Sequence, residues 1–306
     1  MPRIATLVAS LALASFASLS AQTAATLPRV LEVPASTRAM ALGDAYMMNA
    51  NHADVIFYHP AMLTSARGFG LDYQRWGTAS SATTASAAMA WFGGGIGVGL
   101  QSLQFGAPDT GVGGLPGGQD HLFDLGPTAV SERVASVGYA REIMGIDVGV
   151  TTKLVEERYA GGRDATVLFD AGIATTLGPL TAGLTYQNLG KDLRLGGVDA
   201  TRPDKLSLGL GAYGRQIGIL DYGVTGALAY VGEEVIPAAG VEIGYWPIRG
   251  RTFVGRIGVR RVPAGDANPM SFGAAYWGDN IVLEWAFQPV DALDSAGTHR
   301  FGVRWR

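Results

Sequence analysis

The sequence predicts an all-β protein: a closed antiparallel transmembrane barrel of about 14 strands with a small N-terminal plug or hatch segment. Three observations predict it, namely an N-terminal export signal, a long series of segments in which apolar and polar residues alternate, and connections that alternate in length. A membrane barrel turns its apolar face to lipid and keeps its mixed face in the lumen. We therefore expect a signal peptide over 1–21, an N-terminal hatch segment over 22–68 and an outer-membrane barrel over 69–306.

Strand-like alternation recurs from about residue 69 to the C-terminus. In residues 281–288, for example, one face is apolar and aromatic and the opposite face includes Glu284. Period-2 patterns bounded by turn residues indicate strands. They predict strands over 69–76, 84–92, 95–105, 132–142, 145–156, 166–177, 180–188, 204–215, 220–230, 237–246, 251–261, 270–277, 280–288 and 298–306. Their number is even, as in bacterial single-chain barrels.

The predicted connections sort by parity. Those after even-numbered strands are short, as at Gly93-Gly94 and Gly178-Pro179, and those after odd-numbered strands are mostly longer, the longest running from Gly106 to Ser131. Outer-membrane barrels have short periplasmic turns and longer external loops. A soluble β-sandwich has no reason to show this alternation.

The composition agrees with a membrane barrel. Hydrophobic residues make up 48 % and charged residues 16 %, a low charged share for a soluble protein. Many of the 44 glycines occupy every second position of apolar stretches, which suits strands whose inner face must leave space. The net charge of −3 gives no indication of nucleic-acid binding. The absence of cysteine excludes disulfides, thiolate metal sites and a lipoprotein anchor.

The first 21 residues resemble a secretory signal. Arg3 supplies a positive charge, an apolar stretch follows from Ile4 to Leu19, and Leu19-Ser20-Ala21 is a passable cleavage site. The stretch is short and interrupted by serines, which argues against a transmembrane anchor. An exported apolar chain without other spanning helices leaves an outer-membrane barrel or a secreted β protein.

The face opposite the apolar one carries charges on many predicted strands. Ten ionisable side chains facing a dry core would be very costly, whereas in a hydrated lumen they can pair across strands. We single out Glu242, Arg256, Arg260 and Glu284 as lumen charges, with Arg256 placed to pair with the two glutamates. The other members are Asp147, Lys153, Asp170, Lys205, Arg300 and Arg304.

Two segments match a cofactor-binding or metal-binding pattern without the context that such a site needs. Gly209 to Gly214 matches the dinucleotide fingerprint, but an alternating strand follows instead of the helix that would bind pyrophosphate. His52, Asp54 and His59 lack regular metal-ligand spacing. We therefore predict no catalytic residue, no cofactor and no metal.

The segment from Ser36 to Tyr46, followed by that from Asn51 to Leu63, resembles the opening of the PorV/PorQ family within the wider FadL-like group of outer-membrane barrels. It contains Arg-Ala-Met-Ala-Leu-Gly over 38–43 and, over 58–63, the family's aromatic-Asn-Pro-Ala-x-Leu motif with His59 in place of Asn. The resemblance implies fourteen strands and an N-terminal hatch in the lumen. The hatch motif consists of Arg38, Gly43, Asp44, Asp54, Tyr58, His59, Pro60 and Ala61.

The resemblance implies a PorV/PorQ-like barrel that acts in envelope transport or type IX protein secretion, with secretion components or cargo proteins as partners. The alternatives are a FadL-like passive transporter of hydrophobic small molecules and a structural plugged barrel. A soluble β-propeller or lectin is a fourth reading, which the loop-length parity disfavours. In the first three readings the protein is not an enzyme and lies in the bilayer of the bacterial outer membrane.

Overall fold

A computed structural model describes residues 28–46, 52–76, 80–105, 130–159, 162–195, 198–248, 251–262, 268–289 and 297–305. Fourteen antiparallel strands form a closed barrel, as predicted. The strands of the whole fold are β1 (Gly68–Trp76), β2 (Ser80–Trp91), β3 (Gly94–Phe105), β4 (Val130–Ile143), β5 (Ile146–Tyr159), β6 (Gly162–Leu177), β7 (Leu180–Gly190), β8 (Leu193–Leu195), β9 (Val198–Ala200), β10 (Lys205–Ile217), β11 (Leu220–Val231), β12 (Glu234–Ile248), β13 (Arg251–Arg260), β14 (Met270–Trp277), β15 (Ile281–Gln288) and β16 (Thr298–Trp305).

The barrel closes where the first strand pairs with the last, with Phe69 opposite Trp305 and Arg75 opposite His299. Closure leaves no strand edge to lipid, where unpaired amides would be costly. Strands β8 and β9 form a separate two-stranded sheet within the connection between β7 and β10. That hairpin was not predicted, because three residues per strand are too few to show a period.

Several strands are longer than predicted. Strand β2 begins at Ser80, whereas alternation indicated residue 84, because the first positions are small serine and alanine residues. Strand β12 begins at Glu234 and continues through Pro237, whose carbonyl oxygen accepts a hydrogen bond from the Arg261 amide at the end of the pairing with β13. Proline is tolerated where the ladder does not need its missing donor.

The apolar face of the strands points outward. On β10, Leu208 is 48 % exposed and pairs with Leu228 and Leu184 on its two neighbours, while the preceding Ser207 is 1 % exposed. The other strands repeat this arrangement, as Val150, Phe169, Val224 and Val303 show. The register therefore agrees with the prediction that the apolar face of the strands points away from the barrel interior.

The connection lengths follow parity in the barrel. Between even-numbered and following barrel strands the links are short, as at 92–93, 144–145, 178–179 and 218–219. The opposite end has long connections over 106–129, 191–204, 261–269 and 289–297, together with three short ones. Because outer-membrane barrels have short periplasmic turns, we refer to the first end as the periplasmic end.

The N-terminal segment forms short turns. A short helix, Thr37–Ala41, ends before Gly43 and Asp44, which adopt left-handed backbone with φ of 64° and 66°. Two 3-10 turns follow, Ala53–Phe57 and Pro60–Thr64. No helix among the described residues is long and apolar enough to cross a membrane. The predicted signal over 1–21 lies outside the described residues.

Candidate functional site

Inward-facing glycines receive the second half of the N-terminal segment. A Cβ at Gly95 of β3 would overlap the Leu63 carbonyl oxygen, and one at Gly149 of β5 would overlap the backbone of Pro60. On β6, a Cβ at Gly172 would lie 2.9 Å from the His59 ring. Only glycine permits such an approach of another backbone. The glycine spacing seen in the sequence therefore provides a seat for the turn Pro60–Thr64.

A second set of glycines faces the short helix from other strands. A Cβ at Gly240 of β12 would lie 2.8 Å from the Leu42 Cβ, and one at Gly258 of β13 would overlap the backbone between Leu42 and Gly43. Together, residues 28–46 and 52–66 contact strands on several sides of the barrel. The N-terminal segment thus packs against the inner face of the barrel.

Buried charges form a continuous chain between the segment and the wall. The Arg38 guanidinium lies 2.6 Å from Glu242 on β12, and Glu242 in turn accepts a hydrogen bond of 2.7 Å from Arg256 on β13. Arg256 continues to Glu284 on β15 at 2.8 Å, and Glu284 lies 3.4 Å from Arg304 on β16. Each ion is compensated by its neighbours, which is the condition for burying charge.

At the other end of this series of ion pairs, Arg304 contacts two aspartates. Arg304 Nη2 lies 2.7 Å from Asp72 on β1 and 3.2 Å from Asp54 of the N-terminal segment. Asp72 also accepts hydrogen bonds from the Thr37 amide at 2.8 Å and hydroxyl at 2.6 Å. Asp54 accepts from Tyr46 at 3.0 Å. The segment is therefore tied to the closing strands β1 and β16 by charge-assisted bonds, which are the stronger kind.

These charges were expected to face a hydrated lumen, and the structure differs. Seven of these ten charged residues are buried, and the guanidinium of Arg256 is wholly covered. Arg256 does lie between the two glutamates. Asp54 of the N-terminal segment contacts Arg304, and Asp44 approaches Arg260 at 3.8 Å.

The hatch-motif residues occupy distinct positions. The Tyr58 hydroxyl accepts hydrogen bonds from the amides of Ala35 and Ser36, at 2.7 and 3.0 Å. His59 is fully buried beside Gly172, and this burial lowers its pKa to about 4. Pro60 opens the 3-10 turn that Ala61 continues. Because proline disfavours helical backbone in the preceding residue, His59 is extended.

Arg38 and Gly43 complete the motif at the other seat. Three aromatic rings surround the Arg38 guanidinium, those of Tyr46, Tyr213 and Trp277, at 5.4 to 5.7 Å from ring centre to charge. Cation–π contact of this kind suits a guanidinium removed from water. The Gly43 amide donates to the Ser271 hydroxyl at 3.1 Å.

A cavity of about 270 Å³ lies between the N-terminal segment and strands β10 to β13, with further lining residues from β3, β5 and β7. Its apolar lining comes from Leu31, Val33, Phe57, Ala227, Ala229, Val231, Ile236 and Ala238. Its polar lining includes Lys153, Gln187, Asn188, Lys205, Arg260 and Arg261. Several of these residues flank the longer connections, so the cavity belongs to the half of the barrel away from the periplasmic end.

The sequence prediction omitted one site residue, Asp72, and did not connect two others, Lys153 and Lys205. Asp72 follows the inward parity of β1, between exposed Leu71 and Tyr73, and alternation alone could have identified it. Lys153 and Lys205 were placed on the inner face without a shared role, and the structure brings them to one cavity. No local sequence pattern indicates that Lys153 and Lys205 line the same cavity, because the two lysines lie on different strands.

Comparisons with known proteins show the fold. No family model and no curated protein matches the chain. The Ralstonia pickettii toluene transporter TbuX is similar in structure, with a TM-score of 0.54 and 13 % identity over 88 % of this chain and 97 % of TbuX. The Pseudomonas putida toluene transporter TodX has a TM-score of 0.55 and 11 % identity, over 87 % of this chain and 96 % of TodX.

A third similar structure is a Pseudomonas aeruginosa FadL homologue, with a TM-score of 0.54 and 10 % identity over 89 % of this chain and 98 % of that one. The neighbours described by activity are transporters and not enzymes. A closed barrel with an apolar outer surface is an outer-membrane fold, so the chain lies in the bacterial outer membrane, as predicted.

Proposed function

We propose that this protein is an outer-membrane channel for small hydrophobic molecules, in which the N-terminal segment narrows the lumen and leaves the cavity as the ligand site. The observation that carries the proposal is the cavity of about 270 Å³ between that segment and β10 to β13. Ligand sites are concave, mostly apolar and supplied with a few polar groups. The apolar wall on β11 and β12 answers that description.

Small side chains make the room. Ala227 and Ala229 on β11 and Ala238 on β12 face the cavity, where larger residues would fill it. Phe57 and Tyr58 of the N-terminal segment supply the aromatic lining opposite. The lining suits a compact apolar molecule such as a monoaromatic hydrocarbon. The similar fold of two toluene transporters supports the same class of ligand.

Of the functions inferred from the sequence, this proposal favours the passive transporter of hydrophobic small molecules over the role in protein secretion. A part in type IX secretion rests on the motif over 38–63, and the similar solved structures add no support to it. The buried charge chain supports both a channel and a structural barrel, because it holds the segment in place in either case. The cavity favours the channel.

Uptake of radiolabelled toluene tests the proposal, in cells whose outer membrane is otherwise poorly permeable to it. The protein should raise the initial rate of toluene uptake. Ala229→Phe should return that rate to near the rate of cells without the protein, because the phenylalanine ring occupies the cavity. The matched control is Leu228→Phe, whose side chain is 51 % exposed on the outer face of the same strand and should leave uptake unchanged. Equal uptake with and without the folded protein would contradict the proposal.

A further inference from the structure

Large apolar side chains project from the periplasmic end on one side of the barrel. Phe92, Met144, Leu177, Ile217 and Ile219 are 60 to 99 % exposed, and we call them the apolar rim. They belong to the hairpins β2–β3, β4–β5, β6–β7 and β10–β11, which are consecutive around the barrel. The turn between β14 and β15 differs, because it consists of Gly278, Asp279 and Asn280.

Two rim residues adopt backbone that their side chains disfavour. Phe92 and Met144 have φ of 43° and 53°, each followed by a glycine that is also left-handed. Tight hairpin turns of this kind favour asparagine, aspartate or glycine. A bulky apolar residue at such a position costs free energy of folding, and backbone strain of this kind is found where the residue has a function.

The height of the lipid-facing band identifies what covers the rim. On the β4–β5 hairpin, Arg141 also faces outward shortly before Met144, and an arginine there can extend its guanidinium to the headgroups while its stem lies along the apolar wall. At the external end, the outward band ends at Arg133, which is paired with Glu156. With a rise of about 3.3 Å per residue and a tilt of about 40°, Met144 lies about 28 Å from that pair along the barrel axis. The apolar band of such barrels is about 25 Å tall, so the turn reaches its opposite boundary.

The rim is also continuous with the lipid-facing wall. Phe92 packs edge-on against Trp91, with ring centres 4.6 Å apart, and Trp91 contacts Tyr139 of β4 at 6.1 Å. Aromatic residues gather at membrane interfaces. On the opposite side, by the same rise and tilt, the outward residues from Asp279 to Met270 of β14 span about 23 Å. The two sides of the barrel therefore differ in the residues at their turns, which are apolar at the rim and polar at Asp279.

From these observations we propose that the apolar rim inserts into the inner leaflet of the outer membrane, at the level of the headgroups and upper acyl chains. The rim hairpins enter the surface of the bilayer, and the polar turn at Asp279 stays in water. This inference concerns the lipid contact alone, so it holds whether or not the cavity binds a hydrocarbon.

The chain contains no cysteine, so single-site spin labelling needs no background substitutions. Phe92→Cys, Met144→Cys and Ile219→Cys are labelled separately with a nitroxide, and Asp279→Cys is the matched control. Each variant is reconstituted in phosphatidylethanolamine–phosphatidylglycerol vesicles, where collision rates with oxygen and with a water-soluble nickel chelate are measured. Heat-modifiable gel migration shows which variants have folded.

At the three rim sites, the ratio of oxygen to nickel collisions should be about threefold or more above that at residue 279, as for a side chain below the headgroups. Ratios equal to the control would overturn the proposal. Low collision rates with both reagents would also overturn it, because a protein surface and not lipid would then cover the rim. Three separate sites keep the test decisive if one variant does not fold.

Discussion

Arg304 contacts carboxylates from three different parts of the chain. Its Nη2 atom lies within 3.4 Å of Asp72, Asp54 and Glu284. Neighbouring Arg300 donates to Gln74 at 2.9 Å and to the Ala35 carbonyl at 2.8 Å. The pair of arginines on β16 therefore connects the closing seam of the barrel to the N-terminal segment, and each lies in a position where an unpaired ion would be costly.

Replacing Arg304 should strongly destabilise the folded barrel. Arg304→Met leaves Asp54 and Asp72 buried without their main partner, and breaking a buried ion pair costs about 3 to 5 kcal/mol. The free energy of unfolding, measured by urea titration in lipid vesicles, gives the effect.

Arg163→Met is the matched control for that substitution. Its pair with Glu156 is as short as 2.5 Å, but the Arg163 side chain is 61 % exposed. Exposed pairs contribute about 0 to 1 kcal/mol, so this variant should unfold close to the parent. Similar losses in both variants would mean that the Arg304 cluster is hydrated and not buried.

At the scale of the strand, the assignment of faces rests on β10 and its neighbours. Leu208 faces outward between Leu184 and Leu228, and Ser207 faces the cavity. Leu208→Arg should impair assembly, because an arginine near the bilayer midplane of a barrel costs about 2 to 4 kcal/mol. Ser207→Arg should assemble much better, since its side chain enters the cavity, whose lining includes Gln187 and Asn188, and does not face lipid. Heat-modifiable migration of each variant in isolated outer membranes provides the measurement, and equal defects would show that the register is wrong.

The strands and their faces could be predicted because alternation is a local property. Pro237 and the small residues that begin β2 obscured strand ends, where the contrast between faces is weak. The charge chain could not be predicted in full, because Arg38 and Glu242 are 204 residues apart in sequence. Local pattern placed Glu242 on the inner face, but the partner it meets depends on how the N-terminal segment enters the barrel.

For the whole molecule, the main question is whether the N-terminal segment limits passage. The wall holds it at two glycine seats, and four arginines and four carboxylates connect it to the strands: Arg38, Arg256, Arg300 and Arg304 with Glu242, Glu284, Asp54 and Asp72. Equal numbers of the two signs leave this cluster neutral. Neutrality allows a large polar network to remain in the interior without drawing in counter-ions.

Deleting residues 38–58 should widen the lumen while residues 1–21 and the barrel remain. The deletion removes the short helix and the turn Ala53–Phe57, and the remaining wall charges still pair through Arg256 and Arg304. Single-channel conductance in planar bilayers should rise well above that of the parent. Unchanged conductance from a folded deletion variant would mean that the segment does not block the pore.

A milder change makes the same test without removing any residue. Gly149→Leu places a side chain where the backbone of Pro60 and Ala61 now lies, so the turn Pro60–Thr64 must leave its seat. Gly255→Leu is the matched control, because a Cβ at Gly255 meets nothing within 4 Å and that position is exposed on the outer face. If the segment narrows the lumen, Gly149→Leu should show brief large-conductance openings that the parent and the control lack. Identical traces from all three folded proteins would favour a purely structural role, in which the segment supports the wall and passage takes another route.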